Sequence, residues 1–198
     1  MKYISLFAGI GGLEHPTIAP VLACEIDAPC RTVLATRYPD MPFSENVETL
    51  DSPPPADMIL GGWPCQDITV AGKQRGLTGQ RSGLFFHMVA VARAAQAHTI
   101  IGENVPNLLR IHGGGDFKLL LQTLSEGGFP HVAWRTLDAR EFGLPQSRRR
   151  VIIVASKERE RAISLLTTPV PFDADVARVH HPDVCGFYWP LPSLAALF

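Results

Sequence analysis

Six short apolar runs recur along the chain: Tyr3–Phe7, Val21–Glu25, Met58–Gly61, Thr99–Glu103, Val132–Leu137 and Val151–Ala155. Each is nearly continuous in apolar residues and ends at a glycine, a turn or a charged side chain. Strands covered on both faces read this way. Between them, Ala28–Arg37, Leu84–Ala97 and Phe117–Glu126 carry helical spacing, the last with Asp116 as its N-cap and Gly127 as its stop. Strands alternating with helices predict an α/β fold built on a mostly parallel sheet. After Ala155 the pattern dissolves. Lys157–Arg161 is a charge run expected to form a solvated helical turn, and an irregular, proline-broken tail follows, ending Trp189-Pro190-Leu191-Pro192. The organisation expected is one domain over residues 1–155, with 156–198 an irregular extension of it.

Composition narrows this picture. A chain of 198 residues with 46% hydrophobic and 19% charged residues suits one well-buried domain. The formal net charge of −1 gives no global basic field, which weighs against a free-standing DNA binder; Arg148, Arg149 and Arg150 form the densest local patch. Cysteines at 24, 30, 65 and 185 show neither CxxC pairs nor metal-ligand spacing. That argues for a reducing interior rather than a disulfide framework or a metal site. The N-terminal Met1–Phe7 lacks a long apolar core and no stretch reaches membrane-spanning length, so no membrane association is expected. The expected location is the cytoplasm of a microbe or of a virus-infected host cell.

Two features suggest a nucleotide-like ligand. Ser5-Leu6-Phe7-Ala8-Gly9-Ile10-Gly11-Gly12 places glycines directly after the first run, where a tight turn lets backbone approach a ligand at a strand's C-terminal edge. The second run ends in Glu25, at the place where such folds hold ribose hydroxyls. Each has a plain structural reading, a tight turn and a solvated strand end. Together they favour an adenosine-containing cofactor, with NAD and S-adenosylmethionine both open at this point.

Gly61-Gly62-Trp63-Pro64-Cys65-Gln66 brings a cysteine to the same sheet edge on a rigid turn. A lone cysteine is usually a small buried hydrophobe, whereas this mounting suits a nucleophile, whose thiol must be deprotonated to attack. The polar, glycine-punctuated stretch from Asp67 to Gly83, with Lys73, Arg75 and Arg81, reads as a lid whose cations contact phosphates. Glu103 closes a buried strand, a costly place for an acid unless it is paired or functional. Arg148 and Arg150, two apart at a strand start, project to one side while Arg149 faces the other.

In this order the motifs resemble the cytosine-C5 DNA methyltransferases. The resemblance runs from Leu6 to about Ala155 and rests on LFAGIGG (Leu6–Gly12), the Glu25 strand end, GGWPCQ with its AGKQRGL–RSGLFF continuation (Gly61–Phe86), GENVPNLL (Gly102–Leu109) and GLPQSRRRVIIVA (Gly143–Ala155). It implies a Rossmann-like methyltransferase fold, S-adenosyl-L-methionine as donor, and double-stranded DNA with a flipped cytosine as substrate. By the same resemblance Cys65 adds to C6, Glu103 holds or protonates N3, Arg148 holds the base carbonyl oxygen, and Arg150 orients the acid and the thiol. Phe7, Gly9, Ile10, Gly12, Glu25, Ile26, Asn46, Pro64 and Leu84 would line the cofactor; Gln66, Lys73, Arg75 and Arg81 would meet DNA.

The chain departs from the family pattern in three places. Glu14–Pro20 is short and carries two prolines where the family has a longer helix. Asn46 stands where the family usually has an acid. No target-recognition domain follows, which suggests a truncated product, a split enzyme needing a second chain for target recognition, or an inactive remnant acting as a binding module. A related methyltransferase acting on transfer RNA, and a nicotinamide-dependent oxidoreductase, are the competing enzymatic readings.

Overall fold

A computed structural model describes residues 1–14, 20–64, 83–142 and 144–167 of the chain. Its strands are β1 (Tyr3–Leu6), β2 (Leu22–Cys24), β3 (Phe43–Ser44), β4 (Met58–Gly61), β5 (Thr99–Asn104), β6 (His131–Asp138) and β7 (Arg149–Ser156). They form one seven-stranded sheet in the order β3-β2-β1-β4-β5-β7-β6. β1 to β5 are parallel to one another, and β7 runs against both β5 and β6. The helices are α1 (Ala28–Arg37), α2 (Leu84–Ala94), α3 (Gly115–Glu126) and α4 (Arg159–Thr167).

The period of two along each strand sorts side chains onto two covered faces. On one face Ile4, Leu6, Ile59, Ile100, Val151 and Ile153 pack with Phe85 and Met88 of α2 and Leu120 and Leu124 of α3. On the other, Tyr3, Met58, Leu60, Ile101, Ile152 and Val154 pack with Leu166 of α4, and Ala23 packs with Leu34 of α1. Both faces are therefore dry, which is why the central strands read as continuous apolar runs. This is the expected α/β, Rossmann-like arrangement with helices on both sides.

Three local expectations are corrected, and one short strand is added. α2 stops at Ala94 rather than Ala97, because Gln96 takes a left-handed backbone (φ 58) and the Ala97 amide closes onto the Ala92 carbonyl at 2.9 Å. Asp116 is not an N-cap. Left-handed Gly114 occupies that position with no side-chain cap, and Asp116 lies buried in the first turn, 3.0 Å from His112 Nδ1. The charge run at Lys157–Arg161 opens α4, a helix that buries Ala162 and Leu166, so 159–167 is not irregular. The two-residue strand β3 was not anticipated, being too short to carry a periodic signal. The proline-bearing stretch after Glu14 and the tail beyond Thr167 fall largely outside the described residues.

Candidate active site

The C-terminal ends of β1, β2, β4 and β5 converge at one edge of the sheet, where open α/β folds bind ligands. After β1 the chain curls through left-handed residues, Phe7 (φ 55), Gly9 (φ 56) and Gly11 (φ 90). For Phe7 this conformation is costly, and such outliers concentrate where backbone is held for a purpose. The curl is tied down from several sides. The Gly9 amide donates to Glu25 Oε2 at 2.7 Å, the Ala8 amide to the Cys24 carbonyl at 3.2 Å, and Arg37 Nη1 to the Gly11 carbonyl. Beneath it the Ser5 hydroxyl donates to the buried Glu14 carboxylate at 2.5 Å.

Glu25 has a second partner, the Asp27 amide at 2.8 Å, so its carboxylate joins the β1 and β2 turns. Ile10 and Ile26 stand 61% and 74% exposed at this edge, two large apolar side chains in want of a cover. A Cβ added at Gly9 or Gly12 would meet nothing within 4 Å, so the outer side of the turn is open. A strand-end carboxylate, open backbone and apolar flanks fit an adenosine-containing cofactor. Asn46 lies beyond β3, where its side-chain oxygen accepts from the Glu48 amide at 2.9 Å and caps the 3-10 turn Val47–Thr49. Pro64 and Leu84 are half-buried.

The exit from β4 is fixed against the end of β5. The Trp63 ring lies against Gly102, where a Cβ would stand 2.8 Å from the ring, and packs at 5.0 Å from Phe85. Buried Asn104 donates to the Trp63 carbonyl at 3.1 Å while its oxygen accepts from the Val105 amide at 2.8 Å. Asn104 thus holds the backbone two residues before Cys65. Sequence reasoning passed over it, although a carboxamide closing a buried strand beside an acid is the kind of polar group that needs explaining. Among the described residues, the buried indole nitrogen of Trp63 has no hydrogen-bond partner.

Glu103, one residue earlier, points to the opposite face. Arg150 Nε lies 2.6 Å from its Oε1, and its Oε2 sits where a Gly62 Cβ would be only 2.9 Å away. The carboxylate is therefore against the β4 exit and 21% exposed. Burial raises its pKa above the ordinary carboxylate value, opposed by the charges of Arg150 and Arg148 and the hydrogen bond from Arg150. Register explains the partners: Glu103 pairs with Ile152 across the β5–β7 ladder, so Arg150, two residues on, shares its face. Arg149 faces the other way and reaches Asp138 at 3.4 Å, a carboxylate also held by Arg140 at 2.7 Å. Arg148 is exposed, near enough for its charge to act on Glu103.

The structure thus brings Glu103 and Arg150 into contact and gathers Phe7, Gly9, Ile10, Gly12, Glu25 and Ile26 at the same sheet edge. Cys65, Gln66, Lys73, Arg75 and Arg81 lie outside the described residues. Among the described residues, no cluster of three or more metal-ligating side chains occurs, and no helix is long and apolar enough to cross a membrane.

Comparison with known proteins places this architecture. Residues 1–180 match the family described as C-5 cytosine-specific DNA methylase, and the chain belongs to that family. It is 36% identical to the Type II methyltransferase M2.BsuMI of Bacillus subtilis (strain 168), an alignment covering 96% of this chain and 51% of that protein. It is also 36% identical to M1.ScrFI of Lactococcus lactis subsp. cremoris, over 77% of this chain and 41% of that protein. The chain spans about half or less of the length of these curated relatives. Among solved structures, the S. pombe Dnmt2 methyltransferase superposes with a TM-score of 0.63 at 17% identity, over 89% of this chain and 58% of that one. The Entamoeba histolytica methyltransferase EhMeth superposes at 0.60 and 19% identity, over 79% and 53%. These two likenesses establish the fold.

Proposed function

We propose that this chain is the catalytic part of a DNA (cytosine-5-)-methyltransferase, using S-adenosyl-L-methionine to methylate C5 of a flipped cytosine through a covalent Cys65 adduct. Residues 1–155 carry the chemistry and 156–198 extend the same domain; a second chain supplying target recognition is the partner in this reading. The observation that carries the reading is Glu103, a part-buried acid with a raised pKa, held by Arg150 against the Gly62 backbone three residues before Cys65.

Cytosine C5 in the neutral ring is too weak a nucleophile to accept a methyl group unaided. The Cys65 thiolate forms a bond to C6 while Glu103 donates a proton to N3, and the C5–C6 π electrons are left as an enamine with C5 electron-rich. An acid whose pKa is raised above the ordinary carboxylate value is better suited to hold and give that proton. Arg150 keeps Glu103 aimed, and Arg148 supplies a donor for the base carbonyl oxygen. S-Adenosylmethionine, when bound by Phe7, Gly9, Ile10, Gly12, Glu25 and Ile26, supplies an electrophilic sulfonium methyl group to C5. Loss of the C5 proton to water then re-forms the C5–C6 double bond and expels the Cys65 thiolate, and N3 returns its proton to Glu103. A stacked base cannot be reached by these groups, so the cytosine must leave the duplex; Gln66, Lys73, Arg75 and Arg81 contact DNA in this scheme.

Duplex DNA carrying 5-fluorocytosine tests the reading, because a fluorine at C5 cannot leave as a proton. With S-adenosylmethionine present, the wild-type chain should give a denaturation-resistant complex and Cys65→Ala none. An adduct that persists in Cys65→Ala overturns the assignment of the nucleophile. Methyl transfer to transfer RNA but not to DNA would replace the substrate.

A further inference from the structure

We infer that Arg31 is a positioning residue that sets the geometry of the adenosine end of the cofactor site, an inference that rests on the cofactor reading above. Arg31 lies on α1 and belongs to none of the motifs that define the family resemblance. Its Nη1 donates to the carbonyl oxygens of both Glu25 and Ile26 at 2.8 Å, and its Nη2 donates to Glu45 Oε1 at 2.9 Å. The side chain is only 20% exposed, whereas Glu45 is 75% exposed. One planar cation therefore bridges two segments that follow different strands. The first, Glu25-Ile26, leaves β2 with the ribose-binding carboxylate and an exposed apolar side chain. The second, Glu45-Asn46, leaves β3, a strand of only two residues that pairs with β2 at Ala23↔Phe43 and Cys24↔Ser44.

The need for such a strut follows from the shortness of β3. Beyond Cys24 one more ladder bond continues the pairing, from the Glu25 amide to the Ser44 carbonyl at 3.1 Å. Past that point the β2 turn and the Asn46 turn need another tie to keep their separation. The guanidinium supplies it with parallel donors in a fixed plane, and a lysine ammonium lacks the spread to hold two carbonyls and a carboxylate together. Glu25 itself is held by the Gly9 and Asp27 amides. The Arg31 contacts fix the backbone on which that carboxylate is mounted, so they control its aim at the ribose hydroxyls without touching the ligand.

Calorimetric titration of the full chain with S-adenosylhomocysteine and with its 2′-deoxyribose analogue separates aim from mere stability. Wild type should bind the ribose form about tenfold more tightly, the size of one hydrogen bond to a charged group. In Arg31→Met, affinity for S-adenosylhomocysteine should fall about tenfold and the ribose-to-deoxyribose ratio should shrink to about twofold, because a misaimed carboxylate loses that bond. Arg31→Lys should restore only part of the ratio. Glu45→Ala removes one arm at an exposed site and should weaken binding about threefold with a partial loss of the ratio. If Arg31→Met lowers both affinities equally and keeps the ratio, the residue is merely structural and the inference is overturned. Should Arg31→Met not fold, unchanged affinity and ratio in Glu45→Ala overturn it instead. A wild-type chain that binds neither ligand refutes the cofactor reading and this inference with it, a result distinct from either.

Discussion

β7 presents neighbouring arginines to two carboxylates, and their fates are opposite. Asp138 closes β6 and meets Arg149 and Arg140; Glu103 stands near the end of β5 and meets Arg150. Asp138 is the less exposed side chain, at 4% against 21% for Glu103. Yet the pKa of Asp138 is pulled well below the usual carboxylate range while that of Glu103 is raised. Exposure alone therefore predicts the wrong order. Asp138 is covered by its own guanidinium partners, which bring three side-chain hydrogen bonds, and the Arg140 amide adds a fourth. Glu103 is covered by the sheet edge and the β4 exit, with one close cation. Cover by donors stabilises a charge, whereas cover by backbone and apolar atoms penalises it. The first arrangement makes a clamp across the β6–β7 hairpin, and the second holds an acid whose proton is retained to higher pH.

Glu103→Gln is expected to show the largest effect. Methyl transfer should fall by about 10²–10⁴-fold, the range for loss of a general acid. Thermal unfolding of the same variant should show no loss of stability at neutral pH, and a gain where burial outweighs the Arg150 pair. Because the folded pKa is raised, Glu103 opposes folding above that pKa, and the penalty is relieved as pH falls through it towards the unfolded value. A destabilised Glu103→Gln with intact transfer would reverse the assignment of the two acids.

Asp138→Asn should do the converse, costing about 1–3 kcal/mol of stability at neutral pH, since two guanidinium groups lose their acceptor charge. With a depressed folded pKa, its contribution is present above the unfolded value and is lost as pH falls through the folded one. Denaturation curves of wild type and Asp138→Asn should therefore converge only in strong acid, below the ordinary aspartate pKa. Convergence already near neutrality would show that the clamp is not electrostatic.

Gly62→Ala sharpens the contrast from the Glu103 side alone. The new Cβ would stand 2.9 Å from Glu103 Oε2, the movable end of a side chain. Stability should drop by about 1 kcal/mol, the low end for added bulk because the side-chain end can move, while transfer falls more steeply because the acid is pushed off its aim. Equal, small losses in both would argue that the position of Glu103 is uncritical. Arg149→Met should give the smallest change, about 0–1 kcal/mol with transfer nearly unaffected, because Arg140 still holds Asp138 and the Arg149 contact is long and half-exposed.

The amino-acid sequence alone determined the strand runs, the glycine turn, the acid at the end of β5 and the separation of Arg149 from its neighbours. All of these follow from local rules: apolar continuity, the permissiveness of glycine, and the alternation of side chains along a strand. Ala28–Arg37 appears as a helix with the expected ends, because Asp27 accepts from the Cys30 amide at 2.9 Å and Pro29 opens the first turn.

Only tertiary structure decided which arginine meets which acid, because Glu103 and Arg150 are brought together by antiparallel register across 47 positions (150 − 103). The same holds for Asn104 gripping the Trp63 carbonyl, for Arg31 joining the ends of β2 and β3, and for the opposite pKa shifts of two similar carboxylates. Those outcomes depend on what covers a group in space. A linear pattern gives the direction in which a side chain leaves its strand, and the fold supplies the atoms it meets there.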